Sequence, residues 1–178
     1  YTFTASANRT LVANFTRITY TITLSASPVA GGTVSGGGVK NSGDSVTVVA
    51  TPAAGYTFAN WTEGGAAVST SASYTFTASA NRTLVANFTR ITYTISLSAS
   101  PVAGGTVSGG GVKNSGDSVT VVATPAAGYT FTNWTQSGTV VSSSASYTFT
   151  ASANRTLVAN FAEVKYTIAT SASPSAGG

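Results

Sequence analysis

From Ile18 the chain alternates apolar and polar residues without a break. Ile18, Tyr20, Ile22, Leu24 and Ala26 fall on one face, and Thr19, Thr21, Thr23 and Ser25 on the other. A period of two predicts a half-buried β-strand over 18–26. Pro28 and Gly31-Gly32 end it. Thr33-Val34-Ser35 predicts a short second strand closed by Gly36-Gly37-Gly38. Val39-Lys40 then leads into a turn at Asn41-Ser42-Gly43-Asp44, residue types that accept turn geometry. Residues 45–51 predict a third strand with Val46, Val48 and Ala50 on one face. Val49 on the other face predicts that this strand is covered on both sides. Pro52-Ala53-Ala54-Gly55 breaks the pattern, with room for a single helical turn that Gly55 keeps from extending. Tyr56 to Trp61 predicts a fourth strand in which Tyr56 and Phe58 share a face. Trp61 has the wrong parity to join them unless the strand bulges or ends near Asn60. Residues 62–70 read as a loop. Residues 73–78 predict a fifth strand with Tyr74 and Phe76 in phase, Ser79 to Arg82 a hairpin turn, and 83–88 a sixth strand with Leu84, Ala86 and Phe88 inward. No window holds a helical period over the 11 or so residues that a helix needs. Short, regularly spaced strands predict an all-β module, a compact sandwich or a related fold.

The pattern repeats. The ten residues from Tyr1 return from Tyr74, and again from Tyr147 with a period of 73 residues. Residues 1–73 and 74–146 differ at seven positions: Thr23/Ser96, Ala59/Thr132, Glu63/Gln136, Gly64/Ser137, Ala66/Thr139, Ala67/Val140 and Thr70/Ser143. Most fall just after Trp61. A period of this size exceeds a solenoid unit and fits a small domain. The first strand sets the boundaries, so complete modules are expected at 18–90 and 91–163. Residues 1–17 then read as the C-terminal part of a preceding repeat, and 164–178 as the first strand of a following one. A module this short buries only about 60% of its unfolded surface, so single modules are expected to be marginal.

Composition narrows the function classes. Charged residues make up 7% of the 178, and cysteine and methionine are absent. Disulfides and thiolate ligands are thereby excluded. The net charge of +4 is small for this length, and Arg and Lys do not cluster, so no nucleic-acid footprint is expected. No apolar run reaches the roughly 18 residues of a membrane span. Histidine is absent too, which removes the commonest general base. The only acids are Asp44, Glu63, Asp117 and Glu163. Glu63 becomes Gln136 one repeat later, so no carboxylate pair recurs, and no set of acids gathers for a calcium site. No enzyme, metal or cofactor is expected.

Three features in order carry a family resemblance. They are Gly31-Gly32-Thr33-Val34-Ser35 before a glycine turn, Thr51-Pro52 with Gly55-Tyr56-Thr57-Phe58 and Trp61, and the closing Arg82-Thr83-Leu84-Val85-Ala86-Asn87-Phe88. Together they resemble the divergent internalin B-repeat family of bacterial surface proteins. The resemblance covers both complete modules and part of each end. It implies small β modules in tandem on large secreted or cell-surface proteins, with a β-grasp-related fold that here lacks a full helix. It brings no catalytic residues.

A few residues stand as candidate sites. Most aromatics are in phase with aliphatic residues and read as core. Trp61 and Trp134 are out of phase, which makes them the candidate ligand contacts. Asp44 and Asp117 follow glycine in turns, where local hydrogen bonds account for them. An isopeptide crosslink would need Lys40 beside an Asn and a buried acid, and Lys40 sits in a turn, where exposure is expected. The row Thr19, Thr21, Thr23 reads as the solvent face of a strand. Asn87 and Asn14 each begin an Asn-X-Thr sequon and are the candidate glycosylation sites. The leading expectation is a structural array at the cell surface, a stalk, spacer or filament body. Its partners would be neighbouring repeats or copies of the same chain, head to tail. The alternative is an adhesin module that takes surface glycans through Trp61, Trp134 and the variable loop beside them.

Overall fold

The computed structural model of the chain describes residues 1–171. It folds as two units that divide between Thr89 and Arg90. The first holds β1 (Thr19–Ser27), β2 (Gly32–Ser35), β3 (Gly38–Asn41), β4 (Ser45–Pro52), β5 (Tyr56–Glu63), β6 (Ala66–Ser69), β7 (Ser73–Thr77) and β8 (Arg82–Arg90). The second repeats them as β9 (Thr92–Ser100), β10 (Gly105–Ser108), β11 (Gly111–Asn114), β12 (Ser118–Pro125), β13 (Tyr129–Gln136), β14 (Thr139–Ser142), β15 (Ser146–Thr150) and β16 (Arg155–Glu163). Among the described residues, the only helical element in each is a three-residue 3-10 turn, Val29–Gly31 and Val102–Gly104.

Each module is a sandwich of two sheets. In the first, a five-stranded sheet runs β3-β1-β8-β5-β6 and a three-stranded sheet runs β2-β4-β7. The core between them gathers Ile22, Trp61, Leu84, Ala86 and Phe88 from the larger sheet and Val46, Val48 and Ala50 from the smaller. The alternation of the sequence explains this. Along β4 every second residue is buried, and along β8 Leu84, Ala86 and Phe88 are buried while Thr83 and Thr89 face solvent. All pairs are antiparallel except one. β1 and β8 run parallel, from Ile22 opposite Arg82 to Ser27 opposite Asn87. A parallel pair needs a long crossover between its strands, and here β2 to β7 supply it.

The structure departs from the sequence expectations in several places. Val39-Lys40 is not a lead-in to a turn but part of β3, which pairs with β1 from Thr19 opposite Asn41 to Ile22 opposite Gly38. The stretch 62–70 is not a plain loop. β5 runs on to Glu63, turns at Gly64-Gly65 and returns as β6. Residues 79–82 do not close a hairpin, because β7 pairs with β4 in the small sheet and β8 lies in the large one. The chain crosses from one layer to the other there. Val49 is 36% exposed, so β4 is covered on one face only. Pro52 to Gly55 forms a tight turn, with the Tyr56 N–H donating to the Ala53 carbonyl at 3.1 Å.

Among the described residues the two ends form no strands. Residues 1–17 contain none, and neither do 164–171. A first strand draws its ladder from the third and the last strand of its own module. Tyr166-Thr167-Ile168 has neither partner among the described residues, and Tyr166 and Ile168 are exposed. The rest of the stretch expected as a following first strand, 172–178, lies outside the described residues.

Candidate functional site

Trp61 is fully buried, and so is Trp134. The parity problem is solved by a bulge. In the second module the β13–β16 register shifts between Phe131 and Asn133, which leaves Thr132 unpaired and turns Trp134 to the face of Phe131. Phe131 and Trp134 then meet at a centroid distance of 6.0 Å, and Phe58 and Trp61 meet at the same distance. The indole N–H of Trp61 donates to the Ala72 carbonyl at 3.2 Å, so even the polar edge of the ring is used. Both faces are packed in the core, and neither tryptophan offers a stacking surface to a ligand.

The candidate sequons meet different fates. The Asn87 side chain is half-buried on β8 and donates to Asn60 Oδ1 at 2.8 Å and to Thr62 Oγ1 at 3.0 Å. Its amide nitrogen is therefore engaged with β5, and Asn160 repeats the arrangement on Asn133 and Thr135. A glycan on Asn87 would replace one of the two amide hydrogens and so cost at least one of these bonds. Asn14 has the same sequence neighbours but lies exposed in the N-terminal segment. Asp44 accepts from the backbone N–H of Asn41 at 2.9 Å and from its side-chain amide at 3.1 Å, the local turn chemistry expected of it.

One constellation was not foreseen from the sequence. Arg82 opens β8, and its guanidinium lies 4.3 Å from the Phe76 ring centroid and 5.5 Å from that of Tyr74. It donates to the Tyr74 hydroxyl at 3.3 Å and grips Glu63 through Nε and Nη2, at 3.0 and 2.6 Å from Oε2. The hydrogen bond from Arg82 holds the Glu63 carboxyl below the ordinary carboxylate range, and Glu63 in return raises the Arg82 guanidinium. This latch ties β7 of the small sheet to β5 and β8 of the large one. In the second module Arg155 keeps the Tyr147 and Phe149 contacts, and Gln136 Oε1 accepts from its Nε at 2.7 Å. The second module therefore keeps an acceptor at that position without the charge. The signal lay in the sequence: an arginine at the start of a strand, within reach of two in-phase aromatics, with only Glu63 changing to Gln.

No concave pocket exists among the described residues. No three acids gather there either. No described helix is long and apolar enough to cross a membrane.

The family model for the divergent InlB B-repeat domain matches residues 22–92 and again 95–165. The chain belongs to this family. The two B-repeats follow each other with the same 73-residue period as the strands. Each match begins inside the first strand of its module and ends just past the last. Neither curated proteins nor solved structures gave a match.

Proposed function

We propose that this chain is a segment of an extracellular tandem array that acts as a non-enzymatic stalk, spacer or filament body at a cell surface. One observation carries the reading: the first and last strands of each module are parallel neighbours. The chain therefore comes in at one end of a module and leaves at the other. Thr19 stands three residues before the rung at Ile22, and Arg90 eight residues after its partner Arg82. At roughly 3.3 Å per residue the two termini lie about 35 Å apart along the strands. Only Ile91 separates β8 from β9, too little for a flexible linker. On this reading each further repeat adds length, and the repeat's partners are its neighbours in the array. A filament body extends the same principle to copies of the chain joined head to tail.

The membership in a B-repeat family supports the surface location. Glycan binding through Trp61 finds no support in a ring with 0% exposure. Small-angle scattering on arrays of two, three and four repeats is the test. The maximum dimension should grow by about 35 Å for each repeat. A compact profile, or growth typical of freely jointed beads, would remove the spacer reading.

A further inference from the structure

We propose a mechanical function for the repeat: each module is a tension-bearing clamp, closed by the parallel β1–β8 pair. The argument starts from where the chain leaves the module. Tension on an array pulls β1 from its N-terminal end and β8 from its C-terminal end. Because the two strands are parallel neighbours, these pulls run in opposite directions along one shared ladder. The six residue pairs from Ile22–Arg82 to Ser27–Asn87 are then loaded together, in shear. Had the two strands been antiparallel, the same pull would open the ladder one rung at a time.

Three further features oppose sliding. β8 is interior to the large sheet, held by β5 on its other edge, where Asn87 adds side-chain bonds to Asn60 and Thr62. Leu84 and Ala86 stand level with Leu24 and Ala26 across the ladder, so slippage carries buried side chains out of register. Just beyond the last rung, Phe88 is wedged against the backbone of Gly31 and Gly32. A methyl group added at Gly31 would come within 2.6 Å of the Phe88 Cβ, and one at Gly32 within 2.6 Å of its Cζ. The second module repeats the ladder from Arg155 to Asn160, with Phe161 against Gly104 and Gly105. The clamp is a property of the single module. Its use in holding a surface structure under pull rests on the spacer reading.

The experiment compares two pulling directions on the same folded module within the full chain. The chain has no cysteine, so thiol handles attach only where they are introduced. Ile18→Cys with Thr89→Cys loads β1 and β8 in shear, and Val29→Cys with Thr89→Cys pulls their adjacent C-terminal ends apart. Ile18 and Val29 are 64% and 84% exposed, and Thr89 is exposed as well. The pairs Ile91/Ala162 and Val102/Ala162 give an independent measurement on the second module. Single-molecule force spectroscopy reads the unfolding force, which reports the barrier to forced opening rather than equilibrium stability. The shear pair should unfold at a force about threefold or more above that of the peeling pair, at equal loading rate. Equal forces, or a lower force in shear, would overturn the clamp. That result would leave the spacer reading intact, whereas compact scattering would refute the spacer and leave the force ratio unchanged.

Discussion

Fragments 18–90 and 1–73 have the same length and the same residues, because 1–17 and 74–90 are identical. They differ only in connectivity: one carries the β7–β8 sequence after the rest of the module, the other before it. Fragment 18–90 should fold alone, and 1–73 should not fold as a monomer. The geometry decides this. For 1–73 to build the same sandwich, residues 9–17 must take the place of β8. Arg17 then stands where Arg90 does, and Thr19 still begins β1. Those two positions lie about 35 Å apart along the strands. The two peptide steps from Arg17 to Thr19 reach about 7 Å. The last strand must be given up, or borrowed from a second chain.

That loss is large against the total. Leu84 and Phe88 are 0% and 6% exposed in the module. Their identical counterparts Leu11 and Phe15 are 62% and 94% exposed. Burying two such side chains contributes about 3–6 kcal/mol. A domain of this length has about 4–11 kcal/mol in all. Urea melts followed by near-UV circular dichroism of Trp61, with light scattering for mass, give the answer. Fragment 18–90 should show one cooperative transition as a monomer. A monomeric 1–73 with a similar midpoint would refute the parallel closure and the boundaries with it.

Three other outcomes follow from local geometry. Gly31→Ala should destabilise the first module by about 1–3 kcal/mol, as overpacking of a tight contact does, and a urea midpoint unchanged from the parent would contradict the Phe88 wedge. Ser137 holds a φ of 49° where Gly64 holds 57°, a left-handed turn position that costs a side chain; Ser137→Gly should stabilise the second module by about 1 kcal/mol in thermal melts. Glu63 has a folded pKa below its unfolded one, so the bridge to Arg82 contributes fully above the ordinary glutamate range and is lost as pH falls through the folded value. At this exposure the pair is worth about 0.2–1 kcal/mol, so E63Q should melt slightly below the parent at pH 7 and converge with it as pH falls through the folded value of Glu63; a gap that does not change with pH would argue that the charge contributes nothing.

The alternation of side chains made most strands legible, and with them the all-β class and the repeat. What escaped the sequence has physical causes. β3 and β6 are four residues each, and Gly38 and Ala66-Ala67 give them little alternation to read. Their strand character comes from the neighbours β1 and β5 rather than from their own residues. The segment Ser79 to Arg82 carries good turn residues, but local turn chemistry does not say whether the next strand joins the same sheet. Trp61 was visible as an anomaly, since its parity demanded a bulge, yet parity left open whether the ring turned inward. Burial at 0% decided that. The parallel β1–β8 pair joins residues 60 apart, and nothing in either strand announces its direction. The functional reading depends most on that contact.

Near-identical neighbours create a folding hazard that the same contact answers. The modules 18–90 and 91–163 differ at nine positions, the seven above with Thr89/Ala162 and Arg90/Glu163, and all nine are exposed or half-exposed, so the two cores are interchangeable. A β7–β8 segment therefore matches the slot in the module after it as well as the slot in its own. Tandem copies of one sequence are prone to such exchange. Here the connection forbids it. β8 leads into β9 through Ile91 alone, and a parallel slot beside β9 would require the chain to travel back the full length of the strand within that one residue. The minimal joint thereby keeps β8 out of the module that follows it, without any difference in sequence to specify this. The repeats can stay alike in their cores while six of the nine changes fall between Ala59 and Thr70, on β5, β6 and the residues that join and follow them.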